Sequence, residues 1–262
     1  MRKRADRMVG LIKPEWSAPL GVQSAFTLRS GGTSRAPWDS LNLGVHVGDD
    51  LLAVQRNRER VRAALDLPAE PHWLDQVHGV EVIRFEKPAQ EGSTVHSPRP
   101  IADAAITTER GVVLAIQVAD CLPVLFSSGD GSVLGAAHAG WRGLVAGVLE
   151  RTVEAMSVAG GGVAGSSLRV WLGPSIGPAH FEVGDEVREA FMAAGDSASA
   201  FVQNPRGRWQ CDLPALARAR LARLGVFAVA GGDYCTAADP VRFFSHRRDQ
   251  RTGRMAALLW RC

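Results

Sequence analysis

Residues 112–143 read VVLAIQVADCLPVLFSSGDGSVLGAAHAGWRG and contain three short apolar runs. The runs are Val112–Val118, Leu122–Ser127 and Val133–Ala137, and Gly and Asp residues bound them. Because the runs are short and include β-branched residues, they are typical of strands buried on both faces. The sequence therefore predicts a buried β-sheet in this part of the chain.

Further strand and helix patterns alternate on both sides of this stretch. Strands are predicted at residues 80–85, 103–108, 168–172, 226–230 and 255–260. Helices are predicted from Asp49 or Asp50 to about Leu65, from about Leu144 to Val158, from Asp185 to Ala194, and from Asp212 to Gly225. Capping residues and helical spacing of apolar residues support these helices. The alternation predicts one α/β (α+β) domain over residues 21–262, preceded by a partly flexible N-terminal arm at residues 1–20. Residues 21–48 and 88–100 are predicted as loops.

Composition favours an ordinary globular protein. The chain has 262 residues, of which 46% are hydrophobic and 22% charged, and its net charge is +3. This small charge gives no support to a nucleic-acid partner, and no run reaches the roughly 18 apolar residues that a membrane span needs. The four cysteines form no paired framework, so we expect a reduced, cytoplasmic setting.

Three segments each place a metal-ligating side chain at the end of an apolar run. They contain His78, Cys121 and His138, and a Gly or Pro residue follows each ligand within two positions. Two imidazoles and one thiolate suit zinc, and three protein ligands leave a fourth position open. The sequence thus predicts a catalytic metal site. The same atoms could instead form a cysteine–histidine nucleophilic pair, as in a cysteine hydrolase.

Other polar residues are candidates for substrate binding. Arg29 and Arg248 are the leading candidates for a phosphate site, because a planar guanidinium binds phosphate through two hydrogen bonds. Asn42 offers hydrogen bonds to sugar hydroxyls. Asp120, next to Cys121, is a candidate for proton transfer or for orienting an imidazole.

Seven motifs between residues 27 and 260 carry a resemblance to a known family. They are LNLG…HVGD from Leu41, DQVHG from Asp75, ADAAIT from Ala102, ADCLPVLF from Ala119, AHAGWRG from Ala137, GPSIGP…FEVG from Gly173, and FFSHRRD…TGRMA from Phe243. Together they resemble the YfiH-like, laccase-domain family, once named multicopper polyphenol oxidases and now regarded as purine nucleoside phosphorylases.

The resemblance implies a fold, a metal and a set of activities. The fold is a single α/β domain of mixed sheets flanked by helices, and the zinc ligands fall on His78, Cys121 and His138. The activities are phosphorolysis of adenosine, guanosine, inosine and methylthioadenosine, and adenosine deamination. Our own expectations beside this resemblance are Cys121 and Asp120 as catalytic residues, purine nucleosides and phosphate as partners, and a monomer as the favoured state.

Two other classes of function remain open at this point. A copper-dependent polyphenol oxidase needs several coppers, and seven histidines are few for that purpose. A non-catalytic binding protein stabilised by zinc would close the metal shell with a fourth protein ligand.

Overall fold

A computed structural model describes residues 8–90, 92 and 95–262. The strands are β1 Leu11–Ile12, β2 Val22–Thr27, β3 Val82–Arg84, β4 Ala104–Thr107, β5 Val113–Val118, β6 Leu122–Ser127, β7 Leu134–Ala139, β8 Arg169–Leu172, β9 Glu182–Val183, β10 Phe201–Gln203, β11 Trp209–Cys211, β12 Ala228–Gly231 and β13 Met255–Arg261. The α-helices are α1 Leu51–Ala64, α2 Trp141–Ala146, α3 Val148–Ala159, α4 Asp185–Ala193, α5 Leu213–Arg223 and α6 His246–Asp249.

The described strands form three sheets. The largest is mixed and has the order β12-β8-β6-β7-β4-β3, in which β12 runs parallel to β8 and β3 runs parallel to β4. A four-stranded antiparallel sheet has the order β1-β2-β13-β5, and a small sheet has the order β10-β11-β9. The predicted single α/β domain with mixed sheets and flanking helices is therefore confirmed.

The alternation of side chains within the central strands explains how the two large sheets pack. Leu114, Ile116 and Val118 of β5 lie in one apolar cluster with Leu125 of β6, so this cluster fills the space between the sheets. The next residues along β6 face the other way, and Phe126 packs with residues of the helices α3 and α5. Burial on both faces removes the polar alternation that a half-exposed strand shows. The prediction that these runs are buried strands is confirmed.

The chain changes sheet between β5 and β6. β5 belongs to the four-stranded sheet and β6 to the six-stranded sheet, and only Ala119, Asp120 and Cys121 separate them. Asp120 makes this sharp crossing with a φ of 98°, in a region that L-residues rarely adopt. Cys121 therefore lies where the two sheets part.

Several helices agree with the sequence, and one does not. The side chain of Asp50 accepts from the backbone N–H of Leu52 and begins α1, as predicted. The single helix predicted from about Leu144 to Val158 is wrong, because Gly147 interrupts it with a φ of 99° and separates α2 from α3. A left-handed glycine between two helices ends the first and redirects the second.

The sequence also missed strands. β2 lies within residues 21–48, which were predicted as a loop, and β1 lies within the predicted N-terminal arm and pairs with β2. No strand pattern in the sequence predicts β9, β10 and β11. Residues 1–7 of the arm, and residues 91, 93 and 94 of the predicted 88–100 loop, lie outside the described part of the chain. In that described part, no helix is long and apolar enough to cross a membrane.

Candidate metal centre

His78, Cys121 and His138 come from three different elements and lie together. One ligand atom of each lies within 4.8 Å of the others. Cys121 Sγ is 3.7 Å from His78 Nε2, and the two imidazole rings have their centroids 4.9 Å apart. His78 is exposed, Cys121 is half-buried and His138 is buried. One side of the cluster is thus open to solvent and the other is enclosed by β7.

The thiol and the buried imidazole polarise each other. Burial works to raise the pKa of Cys121, but the charge of His138 and hydrogen bonds to His138 and His78 lower it to about 6. Burial works to lower the pKa of His138, but the charge of Cys121 and the hydrogen bond to Asp103 raise it to about 9. At neutral pH these directions favour a thiolate beside an imidazolium. A thiolate is the form of cysteine that binds metals and attacks electrophiles.

Asp103 connects the two histidine segments. Its Oδ1 accepts hydrogen bonds from the backbone N–H of His78 at 2.9 Å and from Nδ1 of His138 at 2.8 Å. Its Oδ2 accepts from the backbone N–H groups of Val77 at 3.1 Å and Gly79 at 2.7 Å. Asp103 is fully buried. With Nδ1 of His138 donating to the carboxylate, its Nε2 is left for a metal, as in many carboxylate–histidine–metal arrangements.

The carboxylate also determines the shape of the loop that carries His78. Burial works to raise the pKa of Asp103, but the hydrogen bonds from His138 and the backbone N–H groups lower it. His78 has a φ of 62°, which is unusual for a residue other than glycine. Three successive N–H groups converge on the carboxylate and hold this conformation. Asp75, three residues before His78, binds Arg99 at 2.7 Å instead.

Gly140 keeps the space beside the ligands open. A Cβ atom at this position would lie 2.7 Å from Cδ2 of His78 and 3.0 Å from Sγ of Cys121. Gly143, one helical turn further, approaches the backbone oxygen of Gly79, which a Cβ atom would meet at 2.9 Å. The absence of side chains here lets the His78 loop approach the start of α2.

Asp120 lies next to the metal centre, but its carboxylate is engaged elsewhere. Oδ1 accepts from the hydroxyl of Thr236 at 2.6 Å, and Oδ2 accepts from the hydroxyl of Ser245 and the backbone N–H of Arg247. Its side chain connects the crossing between the sheets to two later segments of the chain. These three hydrogen bonds hold the carboxylate within the protein.

Asn42, predicted to bind a sugar, has no exposed polar atom. It is fully buried. Its amide nitrogen donates to the backbone oxygen of Gly44 and to Asp49, and its amide oxygen accepts from the backbone N–H groups of Gly44 and Arg254. All four hydrogen-bonding positions of the amide are used within the protein. Asn42 braces the loop that follows β2, and the predicted sugar contact would require release of one of these hydrogen bonds.

The two predicted phosphate-binding arginines are also bound to the protein. Arg248 donates to the carboxylate of Asp249 and to three backbone carbonyls, those of residues 236, 237 and 243, and these bonds use all of its N–H groups. Arg29 donates to the backbone oxygens of Asp39 and Pro240, and its guanidinium lies over the ring of Phe244. The phosphate contact predicted for Arg248 would require a phosphate to displace some of these contacts.

Arg254 is a cation near the centre that the sequence reasoning did not select. Burial lowers its pKa, while the charges of Cys121 and Asp120 act to raise it, so its guanidinium lies within electrostatic range of both groups. Its Nη1 donates to the backbone oxygens of Thr252 and Gly253. The TGR motif was visible in the sequence, but no local pattern distinguishes this arginine from the others in the same segment.

The role of Asp103 predicts a specific loss of metal affinity. In Asp103→Asn, an amide NH₂ replaces one acceptor and faces the N–H donors of the His78 loop or of His138. We expect the affinity for zinc to fall about 10- to 100-fold, which is typical for the loss of a carboxylate partner of a metal-bound histidine. Competition with a fluorescent zinc chelator measures this affinity.

The matched control for this variant is Asp75→Asn. It makes the same substitution three residues before His78, but in a half-exposed carboxylate that binds Arg99. We expect a change of less than about twofold, because exposed ion pairs contribute little. Equal losses in the two variants would contradict the role assigned to Asp103.

The close approach at Gly140 predicts a steric effect. In Gly140→Ala the new methyl group overlaps His78 and Cys121, so these ligands must move apart. We expect zinc affinity to fall at least about tenfold while the fold is retained, because the clash is confined to the site. Isothermal titration with zinc and circular dichroism measure the two properties.

Gly79→Ala is the control for this second variant. There the added Cβ meets its nearest neighbour, a carboxylate oxygen of Asp103, at 3.4 Å, which is ordinary contact. Its zinc affinity should stay within about threefold of the wild type, since no ligand has to move. The steric account fails if Gly79→Ala loses as much affinity as Gly140→Ala.

Comparison with known proteins finds one family along most of the chain. The family described as multi-copper polyphenol oxidoreductase laccase matches residues 23–262. A Pseudomonas aeruginosa protein named purine nucleoside phosphorylase is 51% identical over 254 residues, which cover 95% of this chain and 97% of that protein. The Escherichia coli K12 protein named purine nucleoside phosphorylase YfiH is 47% identical over 253 residues, covering 97% and 99%.

Solved structures show the same fold. The crystal structure of a Neisseria meningitidis protein has a TM-score of 0.86 at 42% identity, and the match covers 96% of this chain and 99% of that one. The crystal structure of YlmD from Geobacillus stearothermophilus has a TM-score of 0.84 at 31% identity, and the match covers 92% of each chain. The resemblance to the YfiH-like family is confirmed, and this chain belongs to the family described as multi-copper polyphenol oxidoreductase laccase.

Proposed function

We propose that this protein is a purine nucleoside phosphorylase that binds one zinc ion through His78, Cys121 and His138. Its proposed substrates are adenosine, guanosine, inosine and methylthioadenosine together with phosphate, and adenosine deamination is a second proposed reaction. The observation that carries the proposal is the convergence of two imidazoles and one thiolate on a partly open site. The names of the similar proteins support the reaction class. A monomer in the cytoplasm remains the proposed state.

The donor set fits zinc better than a group of coppers. In the described part of the chain, this is the one group of three or more His, Cys, Asp and Glu side chains close enough to hold a metal, and it contains three residues. A multicopper oxidase needs several such groups. Three ligands also favour a catalytic zinc over a structural one, because a structural zinc normally has four protein ligands. When bound, zinc would supply Lewis acidity at the open side of the cluster.

To catalyse phosphorolysis, the protein mainly has to position the reactants and to stabilise the charge that develops. The reaction breaks the bond between ribose C1′ and the purine nitrogen, and phosphate must be held close to that carbon. Arg254 is our proposed phosphate-binding residue in place of Arg248, because its positive charge interacts electrostatically with Cys121 and Asp120 of the centre. Arg29 is the second candidate, with part of its guanidinium bound to backbone carbonyls.

Asp103 and Asp120 would support the reaction by holding the metal ligands in position. Asp103 holds Nδ1 of His138 and thereby keeps Nε2 directed to the site. Asp120 holds the crossing that presents Cys121. A direct role for Asp120 in proton transfer would require release of one of its three donors, so we propose a positioning role for it.

A second candidate function follows from the thiolate–imidazolium pair. A low pKa at Cys121 and a neighbouring imidazole are also what a cysteine hydrolase uses. The position of His78 beside the same sulfur favours metal binding, because a hydrolase needs one base. Removal of the metal distinguishes the two functions, since a chelator should leave a cysteine hydrolase active.

The proposed reaction is tested by product identification. Zinc-loaded protein is incubated with adenosine, inosine or methylthioadenosine, with and without phosphate, and the products are separated by liquid chromatography. We expect free base and a pentose 1-phosphate only when phosphate is present, and inosine from adenosine without phosphate. Cys121→Ala should lower both reactions at least about 100-fold through loss of a metal ligand.

Metal analysis of each sample is the control for this test. Cys121→Ala that retains zinc and full turnover would contradict a metal-centred reaction. Base release that does not depend on phosphate would contradict phosphorolysis. Phenol oxidation by copper-loaded protein, without any release of base, would support the polyphenol oxidase alternative.

The proposed phosphate site is tested separately. Arg254→Gln removes a positive charge that interacts with Cys121 and Asp120. We therefore expect the KM for phosphate to rise at least about tenfold, with a smaller change in the KM for nucleoside. Arg29→Gln is the matched variant and should raise the KM for phosphate less than about threefold. Initial rates at varied phosphate measure both, and the reverse ranking would move the assignment to Arg29.

A further inference from the structure

A second cysteine–histidine pair lies outside the metal centre. Sγ of Cys235 is 3.5 Å from Nδ1 of His180, and the backbone N–H of Gly177 donates to the same sulfur at 3.2 Å. Cys235 is half-buried and His180 is exposed. The sulfur thus has a base within reach of its proton and a donor that stabilises negative charge, which are two features of reactive thiols.

The pair lines a cleft of about 520 Å³. The cleft lies beyond the carboxyl ends of the parallel strands β8 and β12, where the loops that carry Gly177 and Cys235 leave the sheet. Pro214 and Arg218 of α5 also line the cleft. A crevice at the carboxyl ends of parallel strands is a usual place for a small molecule in an α/β protein, and this volume is sufficient for one.

The remaining cysteines differ from Cys235. Cys211 is fully buried, and burial, followed by the charge of Asp212, raises its pKa to about 12, so its thiol is inert. Cys262 is exposed at the end of the chain, and no hydrogen bond to its thiol is seen among the described residues. Cys121 belongs to the metal centre. Cys235 therefore has a base and an N–H donor at its sulfur. Among the described residues, no such partner is seen at the thiol of Cys262, which serves as a comparison in the same molecule.

We propose that Cys235 is a modification site at which small soluble disulfides form a mixed disulfide with the protein. His180 accepts the thiol proton at Nδ1, in the tautomer that leaves this nitrogen unprotonated, and later passes it to water. The thiolate of Cys235 attacks one sulfur of the small disulfide. A new S–S bond forms at Cys235 while the original S–S bond breaks, and the second sulfur leaves as a thiolate. The oxidant is the small disulfide itself.

Oxidised glutathione is the probe for this site. Zinc-loaded full-length protein is incubated with it, samples are quenched with acid, and peptide mass spectrometry follows the mixed disulfide at each cysteine. We expect Cys235 to react at least about fivefold faster than Cys262, because only Cys235 has a base and an N–H donor at its sulfur.

His180→Gln provides the decisive comparison. The substitution removes the base from an exposed position and leaves the fold and Cys262 as an internal standard. The rate at Cys235 should fall at least about fivefold relative to the rate at Cys262. The proposal is overturned if Cys235 reacts no faster than Cys262 in the wild type, or if His180→Gln leaves the ratio of the two rates unchanged. Neither result depends on the activity of the metal centre.

Discussion

The carboxylate of Asp103 accepts hydrogen bonds from both histidine segments of the metal centre, and the geometry of the site depends on it. Three bonds come from successive backbone N–H groups around His78, and the fourth comes from the ring of His138. A buried carboxylate with fewer partners would be costly, because it loses its hydration. With four donors it is satisfied, and it holds the ring of His138 and the backbone of the His78 loop.

The second constraint is the three-residue crossing between the two large sheets. β5 and β6 are consecutive in the chain but lie in different layers, so Asp120 adopts a positive φ between them. Bonds from Thr236, Ser245 and Arg247 to the Asp120 side chain hold this strained turn in place. Backbone strain of this kind persists where the surroundings compensate for it. Cys121 is presented at the crossing as a consequence, beside two histidines from other elements.

The site combines a fixed interior with an accessible outer side. His138 is enclosed in β7, while His78 lies on an exposed loop, and Gly140 leaves the space beside His78 and Cys121 free. The charges of Cys121 and His138 stabilise each other, which keeps the sulfur in the form that binds metals. Arg254 adds a positive charge near the same sulfur. These features together suit a reaction in which an anion and a neutral substrate meet beside one metal ion.

The sequence by itself determined the local elements and the types of ligand. Short apolar runs predicted the buried strands, Asp50 marked the start of α1, and the short motifs around His78, Cys121 and His138 indicated a metal site. Such patterns are local, because periodicity and capping involve residues within a few positions of each other. The break at Gly147 escaped notice because helical periodicity continues on both sides of it.

Only the tertiary structure decided which polar groups are free and which are already bound. Asp103 lies 25 residues from His78 and 35 from His138, so no local pattern pairs them. Arg248 and Asn42 looked available for substrate, but carbonyls and amides from other segments use their hydrogen bonds. β2 became a strand by pairing with β13, at the far end of the chain. Side-chain chemistry is a property of the residue, whereas its partners depend on contacts that folding makes between distant segments.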